Sequence, residues 1–539
     1  MATYVIDKNE ARVPFLGDRM SFITGLDPLG LQNTSNKVYT YLMAGLNNVT
    51  SHIRNYSFYC WLLDEYAKII TSTNPYEQQR FIRRAEYMIA LLSYHSEILG
   101  INGRQYAQKR FEENLQEFDL EKGTFNTDGS TPNTYWQYYL GIFGQYYVGS
   151  LRQIGLIDEP INAEGKPLGI YRTTSSQEDI NICGKDLAKA FDENISDDGK
   201  IKFLDCIAKG KVSIEELEEL ALDFNLKAIK KKSKECDLLI ELLLDVNEPT
   251  LLKEEPSFSR KETLIHILKF LSNYSFEKFE QHDFTMFAYD VKGKVNGIID
   301  ETLTGWYLYQ FSEYWQVALT GLFNGCLNWL EREKGPGWMP INEFVQGCTN
   351  DIIKYINNEN LLDTDKGISD LVSDVEIYTE KELYVKLVRS KSEERMSYGL
   401  LLVLRLFKVN ESYLPFLRSY SNNNEISNNQ DNQEVLNYYL GFKSSLNLNL
   451  VTFISDFLLN KIIHRHQYVA YRKMGGGSQS TQKFIIEDGY LRIIGNFDPG
   501  FTSPRIVSLL EFLQDLNLLD KDFRLTDKGN ELLNVYKDD

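Results

Sequence analysis

Apolar residues recur at helical spacing through most of this chain, and that periodicity limits its fold more than any other feature. Tyr76–Leu99 is one amphipathic segment, closed by Gly100, and Leu303–Glu333 is a longer one that is rich in aromatic residues. The same spacing predicts further helices over 36–44, 51–70, 105–118, 133–154, 344–357 and 380–407. The sequence therefore predicts a mainly α protein.

Two helix starts carry the Ser-x-x-Glu pattern of a capping box, in which side chains and backbone N–H groups pair reciprocally. The pairs are Ser213 with Glu216 and Ser259 with Glu262. Between them lies a group of five lysines, which we interpret as a solvated helix face, with phosphate contact as the alternative. They are Lys227, Lys230, Lys231, Lys232 and Lys234.

The length of 539 residues exceeds what one ordinary hydrophobic core serves, so several domains are expected. Residues 420–433 are rich in Asn and poor in apolar side chains, so they bury too little surface to offset their ordering entropy. We expect a mobile loop and a domain boundary there. The predicted domains are an N-terminal helical domain over 1–200, a central helical domain over 201–419 and a C-terminal domain over 434–539.

The C-terminal domain ends in a small α+β pattern. Asp488 and Gly489 are the residues that a tight type I′ hairpin turn requires. Ser503 and Pro504 suit the cap and first position of a helix. Thr526 suits the cap of a second one. Strand-like residues between these helices complete the predicted module.

A similar order of elements occurs earlier in the chain. The segment QDLNLLDKDFRLTDKGNELL at 514–533 parallels RQIGLIDEP, GIYRTT and CGKDLAKAF between 152 and 191. Both segments resemble the back end of a winged helix, a family in which the helix before the wing lies in the DNA major groove. Here that helix, expected over Pro504–Asn517, has Arg505 as its only basic residue. We therefore favour winged-helix-like modules that pack against protein.

The net charge of the chain bears on whether it can bind nucleic acid. The net charge is −18, so the surface as a whole repels phosphate backbones. The acidity is uneven, because residues 434–539 hold 12 Lys and Arg against 13 Asp and Glu. A contact with nucleic acid is least opposed in that C-terminal part.

A basic and aromatic cluster precedes the hairpin, in KIIHRHQYVAYRK at 461–473, with no acid among its residues. On a helix, Lys461, Arg465 and Arg472 come near one face. The tyrosines of the segment supply rings that stack on bases. The predicted nucleic-acid-binding residues, of DNA or RNA, are Lys461, His464, Arg465, His466, Arg472, Lys473 and Arg505. The alternative is a basic helix face that docks on the acidic remainder of the same protein.

Known catalytic patterns are absent from the sequence. It contains no GxxxxGK[ST], no GxGxxG after a strand, no HExxH and no GxSxG. His464 and His466 diverge on a helix and lack a Cys or carboxylate three or four residues away, so we expect no metal. No cofactor is expected either. The six cysteines are isolated in the sequence, which predicts buried free thiols: Cys60, Cys183, Cys206, Cys236, Cys326 and Cys348.

Two stretches without any charge, 129–151 and 314–330, approach the length of a membrane-spanning helix. Both are rich in Tyr, Gln, Asn and Thr, so we interpret them as buried aromatic helices. The N-terminal residues carry acids and lack the apolar run of a signal peptide. These observations predict a cytoplasmic protein without membrane contact.

The block GLDPLGLQNTSNKVYTYLMAGLNNVTSHIRNYSFYCWLLDEYA at 25–67 surrounds Arg54 with aromatic and apolar residues. A buried guanidinium requires partners, and Asp27 or Asp64 is the expected one. The block resembles uncharacterised proteins encoded in bacterial gene clusters for anti-phage defence and restriction. That resemblance implies a non-catalytic partner of a nuclease, helicase or ATPase, and carries no catalytic residue over.

The favoured function is therefore a non-catalytic scaffold or adaptor subunit of a larger bacterial complex, bound to other subunits or to itself, with nucleic-acid contact from its C-terminal domain. Two alternatives stay open. One is a sequence-specific DNA-binding transcriptional regulator. The other is an enzyme whose site is assembled from residues that are distant in the sequence.

Overall fold

The computed structural model describes residues 21–22, 27–46, 51–70, 72–176, 182–244, 260–273, 279–426, 434–474 and 479–536. Within these residues the protein is mainly α, as the periodicity predicts.

The first helices lie before residue 300: α1 (Asn33–Leu42), α2 (Arg54–Ile69), α3 (Pro75–His95), α4 (Arg104–Phe111), α5 (Leu120–Thr124), α6 (Val148–Gln153), α7 (Gly184–Asp192), α8 (Asp197–Lys209), α9 (Ile214–Leu220), α10 (Lys234–Leu243), α11 (Arg260–Asn273) and α12 (Asp283–Asp290). The later helices are α13 (Glu301–Lys334), α14 (Ile341–Asn358), α15 (Ile368–Asp374), α16 (Glu380–Arg389), α17 (Ser392–Asn410), α18 (Leu414–Asn423), α19 (Val435–Gly441), α20 (Leu450–Phe457), α21 (His464–Met474), α22 (Ile506–Asp515) and α23 (Asp527–Val535). Two π-helical turns, Phe143–Tyr147 and Leu458–Ile463, and two 3₁₀ turns, Val375–Ile377 and Phe442–Ser445, adjoin them.

The strands are two to four residues long, so within the described part of the chain they join loops and build no extended sheet. They are β1 (Ser21–Phe22), β2 (Glu117–Asp119), β3 (Ile157–Asp158), β4 (Arg172–Thr173), β5 (Lys211–Ser213), β6 (Lys294–Val295), β7 (Ile298–Ile299), β8 (Met339–Pro340), β9 (Gln479–Ser480), β10 (Phe484–Glu487) and β11 (Tyr490–Ile493). Strands β10, β11 and β8 form an antiparallel sheet, β1 pairs in parallel with β9, and β2–β5, β3–β4 and β6–β7 are antiparallel pairs.

The backbone divides into two compact units, each made of two stretches of chain. Unit 1 comprises Met1–Asn36 and Leu308–Thr502, and unit 2 comprises Lys37–Tyr307 and Ser503–Asp539. These units are discontinuous in sequence, whereas the ranges 1–200, 201–419, 420–433 and 434–539 are consecutive. The last of those ranges is divided between the units after Thr502.

Several local signals predict their elements correctly. Ser213 and Glu216 form the reciprocal capping box at the start of α9, and Thr526 caps α23 by accepting a hydrogen bond from the Gly529 N–H. Asp488 joins β10 to β11 as the hairpin turn requires. The second capping-box serine, residue 259, lies outside the described residues, as do residues 427–433 of the Asn-rich segment.

Other predicted bounds are wrong. The helix expected over 380–407 is two helices, because Ser390 and Lys391 have extended backbone angles between α16 and α17. The helix expected over 105–118 ends at Phe111, and the loop expected from residue 420 begins later, because α18 continues to Asn423. The lysine group is solvated, but of its members only Lys234 lies in a helix. Helix α22 begins at Ile506 rather than at Pro504.

The largest departure is the helix expected over 133–154, where residues 125–140 are irregular. Two buried charged side chains of α3 take up the backbone groups that a helix would pair. Arg83 donates to the carbonyls of Thr124 and Trp136, and Glu86 accepts from the N–H groups of Ile142 and Phe143. These tertiary hydrogen bonds override the local helical pattern.

Helix α2 is the centre of unit 2, and its Arg54 is buried as predicted. The partner, however, is neither Asp27 nor Asp64. Arg54 Nε lies 3.2 Å from Glu235 Oε1, and Arg54 Nη1 donates to the carbonyl of Asn225 at 2.9 Å. An ion pair across 181 residues has no local sequence signal.

The segment from α6 to α7, which we call module A, has a distinctive hydrogen-bonded core. The Thr174 N–H donates to the Leu156 carbonyl at 3.0 Å, and Thr174 Oγ1 donates to the Gly155 carbonyl at 2.7 Å. Thr174 Oγ1 accepts in turn from the Gly184 N–H at 2.9 Å. Gly155 has φ +75°, the left-handed conformation that closes many helices.

The segment from α22 to α23, which we call module B, repeats this core. The Thr526 N–H donates to the Leu518 carbonyl at 3.1 Å, Thr526 Oγ1 donates to the Asn517 carbonyl at 2.7 Å, and Thr526 Oγ1 accepts from the Gly529 N–H at 3.1 Å. Asn517 has φ +57°. The two modules therefore share hydrogen bonds as well as the order of elements that the sequence suggests.

Unit 1 buries aromatic rings around the C-terminal part of α13. The Trp315 ring lies 4.5 Å from that of Tyr438 and 5.2 Å from that of Tyr439, between centroids. The Tyr439 hydroxyl donates to the Val403 carbonyl on α17 at 2.6 Å, and Phe457 of α20 lies against Trp315. This aromatic core packs against the helical segment 450–474, which carries the basic cluster.

Candidate nucleic-acid interface

The basic and aromatic cluster lies in the second half of one helical run over 450–474. Asn449 caps the start of the run, where its Oδ1 accepts from the Thr452 N–H at 2.8 Å. The run then passes through the π-helical turn Leu458–Ile463 into α21. A π turn holds an extra residue, so faces before and after it fall out of α-helical register. Lys461 lies inside this turn, and Arg465 follows it in the first turn of α21.

Arg465 is buried, with 9% of its surface exposed. Its Nε donates to the Leu29 carbonyl at 2.8 Å and its Nη2 to the Gly30 carbonyl at 3.0 Å. The guanidinium therefore fixes the chain at 29–30 in unit 1. It is a structural residue, and a phosphate has no access to its inner edge.

His466 is also buried and joins two parts of unit 1. Its Nδ1 lies 2.8 Å from the Pro28 carbonyl, and its Nε2 accepts from the Lys483 N–H at 2.8 Å. These partners require a proton on Nδ1 and none on Nε2, which is the neutral tautomer. Burial lowers the pKa of His466 to about 4, in agreement with that assignment. His466 is therefore not a nucleic-acid contact.

Three other predicted cations are held by neighbours. Burial lowers the pKa of Lys461, whose Nζ lies 5.2 Å from the centre of the Tyr438 ring. Lys473 Nζ donates to the Asp27 carbonyl at 2.7 Å. Arg505 belongs to unit 2, where its guanidinium lies 4.2 Å from the centre of the Tyr39 ring. Arg505 adopts φ +60° at the N-cap position of α22, and it belongs to a different unit from the cluster at 461–473.

The remaining residues form a surface that we call the α21 face: His464, Tyr468, Tyr471 and Arg472. They recur at intervals of four, three and one, so they share one side of α21. Tyr468 and Tyr471 are 57% and 54% exposed. The Tyr468 ring has the guanidinium carbons of Arg465 and Arg472 each 5.8 Å from its centre. Both phenol rings are thus accessible, and the ring of Tyr468 lies beside two positive charges.

This arrangement suits unpaired bases better than a duplex. Exposed aromatic rings stack on bases whatever their sequence, and a neighbouring guanidinium attracts the backbone phosphate. The nearby Asp27 carboxylate opposes an anion less than its charge suggests, because it accepts from the N–H groups of Leu31 and Gln32. The α21 face therefore has the elements of a small single-strand platform.

The helix that would read a DNA groove in a winged helix is α22, and no residue of α22 is exposed. On one side its Phe512 ring lies 5.8 Å from Tyr56 of α2, and Asp515 lies 3.1 Å from His52 Nδ1. A buried helix cannot enter a major groove. Module B accordingly acts as a packing element of unit 2.

Two further features that would indicate a class of function are a membrane-spanning helix and a metal site. Over the described residues, no helix is both long enough and apolar enough to cross a membrane. The described His, Cys, Asp and Glu side chains form no group of three or more that could hold a metal ion. All six cysteines are free and buried, as predicted.

No protein family, no curated protein and no solved structure matches this chain.

Sequence reasoning identified the residues of the α21 face but not the inward role of Arg465 and His466. Their partners Leu29, Gly30 and Pro28 lie more than 430 residues away in the sequence. No periodic signal spans that distance. One sequence signal does indicate this inward role. Arg465 and His466 follow Ile462 and Ile463 by three residues each, and these two isoleucines are apolar and buried.

Proposed function

We propose that this protein is a non-catalytic scaffold subunit that holds single-stranded nucleic acid on the α21 face. The observation that carries the proposal is the pair of half-exposed rings, Tyr468 and Tyr471, on the same side of α21 as Arg472, whose guanidinium lies 5.8 Å from the centre of the Tyr468 ring. Bases stack on the rings, and the guanidinium binds a phosphate between them. The partner subunits would be a nuclease, helicase or ATPase, as the resemblance of residues 25–67 implies.

Binding through so small a platform on an acidic protein is weak and depends on salt. The net charge of −18 repels the strand at long range, and screening by salt reduces that repulsion together with the local attraction. The larger complex would supply additional contacts. The scaffold role is supported by the two modules, whose helices are used for internal packing.

The test is fluorescence anisotropy of labelled single-stranded DNA, single-stranded RNA and duplex DNA with the purified chain, at low and at physiological salt. We expect both single strands to bind more tightly than the duplex. Stacking contributes about 1–3 kcal/mol per base, so Tyr468→Ala combined with Tyr471→Ala should weaken binding by about tenfold or more. Arg472→Gln should weaken it and reduce the salt dependence.

Matched controls separate the face from general effects. Tyr76→Ala removes a tyrosine of similar exposure in unit 2, and Lys232→Gln removes an exposed cation there. Neither should change binding. No binding at low salt, or full binding by the double tyrosine variant, would overturn the proposal. Preference for a specific duplex would favour the transcriptional regulator, and robust hydrolysis of ATP, DNA or RNA by the chain alone would exclude a non-catalytic role.

A further inference from the structure

A second candidate site is a cavity in unit 2, between the start of α4 and the irregular chain that follows α5. Its volume is about 680 Å³, and it is lined by residues 101–106, 109, 134–137 and 145. Small-molecule sites in proteins typically occupy about 300–1,000 Å³. The cavity is thus large enough for a ligand, and it lies outside unit 1, which carries the α21 face.

The charged residues of the lining, Arg104 and Lys109, are both basic, although the chain has a net charge of −18. Arg104 Nε is buried without a hydrogen-bond partner among the described residues. Its guanidinium carbon lies 5.1 Å from the centre of the Tyr94 ring, which orients it without neutralising it. A cavity with unneutralised cations in an acidic protein favours an anionic ligand.

Helix α4 adds backbone donors to the same wall. It starts at Gly103, which has φ +82° and no side-chain cap. The N–H groups of Arg104 and Gln105 have no acceptor among the described residues, because the first N–H groups of a helix have no intrahelical partner. The intrahelical bonds begin with the N–H groups of Tyr106 and Ala107, which donate to the Gly103 carbonyl. The left-handed φ favours glycine at this position, and a Cβ on Gly103 would also lie close to Ala90 Cβ, at 3.1 Å. Free N–H groups at a helix start attract phosphate or carboxylate.

The opposite wall is held rigid by Arg83 and Glu86, both buried. Arg83 Nη2 donates to the Trp136 carbonyl at 2.8 Å and to Thr134 Oγ1 at 3.1 Å. Glu86 accepts from the hydroxyl of Tyr135, whose ring lines the cavity. Burying two charges is costly unless every hydrogen bond is made. Here the charges fix an irregular segment beside a cavity, which is the usual design of a binding wall.

The same wall presents an aromatic ring, and both walls carry amide side chains. The Trp136 indole N–H donates to Gln145 Oε1 at 2.7 Å, which fixes the plane of the ring. The ring meets Tyr146 edge-on, with centroids 5.7 Å apart. Asn102, Gln105 and Gln137 add side-chain amides to the lining. An oriented indole with nearby amides suits a flat heterocycle that carries donors and acceptors on its edge.

We propose that this cavity binds a nucleoside phosphate. Arg104, Lys109 and the free N–H groups of α4 bind the phosphate, and the base stacks on Trp136 within reach of Gln137. The site does not depend on the function proposed for the α21 face. A free nucleotide and the phosphorylated end of a strand offer the same chemistry, and the cavity in unit 2 is tested for each.

The experiment is isothermal titration calorimetry of the full chain with AMP, ATP, adenosine, inorganic phosphate and a short oligonucleotide bearing a 5′-phosphate. We expect AMP and ATP to bind more tightly than adenosine or phosphate. Tighter binding of the oligonucleotide than of AMP would identify a strand end as the source, and weaker binding a free nucleotide. Lys109→Gln should weaken AMP binding by about tenfold or more, because it removes a charge-assisted contact.

Trp136→Leu should weaken the binding of AMP and ATP and leave the binding of inorganic phosphate unchanged. Lys122→Gln is the matched control, because this exposed cation of α5 lies outside the lining. Tyr468→Ala is the control for the α21 face. Lys109 is exposed, so its variant is expected to fold, and thermal unfolding checks this for each variant. Absence of nucleotide binding, adenosine binding as tight as AMP, or AMP binding unchanged in Lys109→Gln would each overturn the proposal.

Discussion

Replacing Gly529 by alanine tests whether the shared core of the modules limits their sequence. An added Cβ would lie 2.2 Å from the Leu518 carbonyl oxygen, about 0.8 Å short of the 3.0 Å that Cβ contacts keep. That oxygen already accepts from the N–H of Thr526 at 3.1 Å. It cannot withdraw without weakening this hydrogen bond, so α23 itself must move.

The magnitude follows from opposing contributions. Overpacking costs about 1–3 kcal/mol, and each weakened hydrogen bond costs about 1 kcal/mol. Alanine gains about 1 kcal/mol over glycine in a helix. The net effect of Gly529→Ala is a loss of about 1–3 kcal/mol in the free energy of local opening. Gly184→Ala should act in the same direction, because its Cβ would lie 2.0 Å from the Leu156 carbonyl oxygen.

The assay is native-state hydrogen exchange, which measures local opening without requiring that a protein of two units unfold in one step. Protection of the amides of α23 should fall in Gly529→Ala. The control is Gly149→Ala in α6, where an added Cβ meets nothing within 4 Å and the helix propensity gain of up to about 1 kcal/mol stands alone. If the amides of the substituted helix are protected from exchange as well as or better than in the parent protein in both variants, the steric argument is refuted.

Two further predictions concern buried titratable groups. Burial raises the pKa of Glu313 from 4.5 to about 7, so the folded state holds a proton between those values that the unfolded state releases. Stability should therefore fall as pH rises from 4.5 to about 7, by up to about 3 kcal/mol. Glu313→Gln should flatten this dependence in unfolding measurements, and an unchanged slope would contradict the assignment. Burial also raises the pKa of the Cys60 thiol, and that of Cys206 to about 12. Native protein at pH 8 should therefore resist alkylation by iodoacetamide at all six cysteines and react fully only after unfolding, and rapid labelling of the native protein would contradict their burial.

The sequence was sufficient to predict the helix caps and turns that depend on interactions between near neighbours. The Ser213 capping box, the Thr526 cap and the Asp488 turn each depend on neighbours within a few residues. The parallel between the two modules was also visible, because Thr526 and Gly529 keep the order of their counterparts in the first module. These features require no knowledge of the rest of the molecule.

The remaining features depend on distant charges that a pattern does not reveal. The aromatic segment over 133–154 has a helical spacing, but Arg83 and Glu86 capture its backbone groups from α3. Five of the seven residues predicted for the interface have other partners in the same way; Arg465, for example, donates to the carbonyls of Leu29 and Gly30. In each case the competing partner lies too far along the chain for periodicity to register it.

The discontinuity of unit 2 has a consequence for synthesis on the ribosome. Its first stretch ends at Tyr307, and its second begins only at Ser503. Translation at about 5–20 residues per second leaves an interval of roughly 10–40 s between them. During that interval Tyr56 emerges without the Phe512 ring that later packs on it. Until the second stretch has been synthesised, unit 2 of the nascent chain therefore presents an unfinished apolar surface.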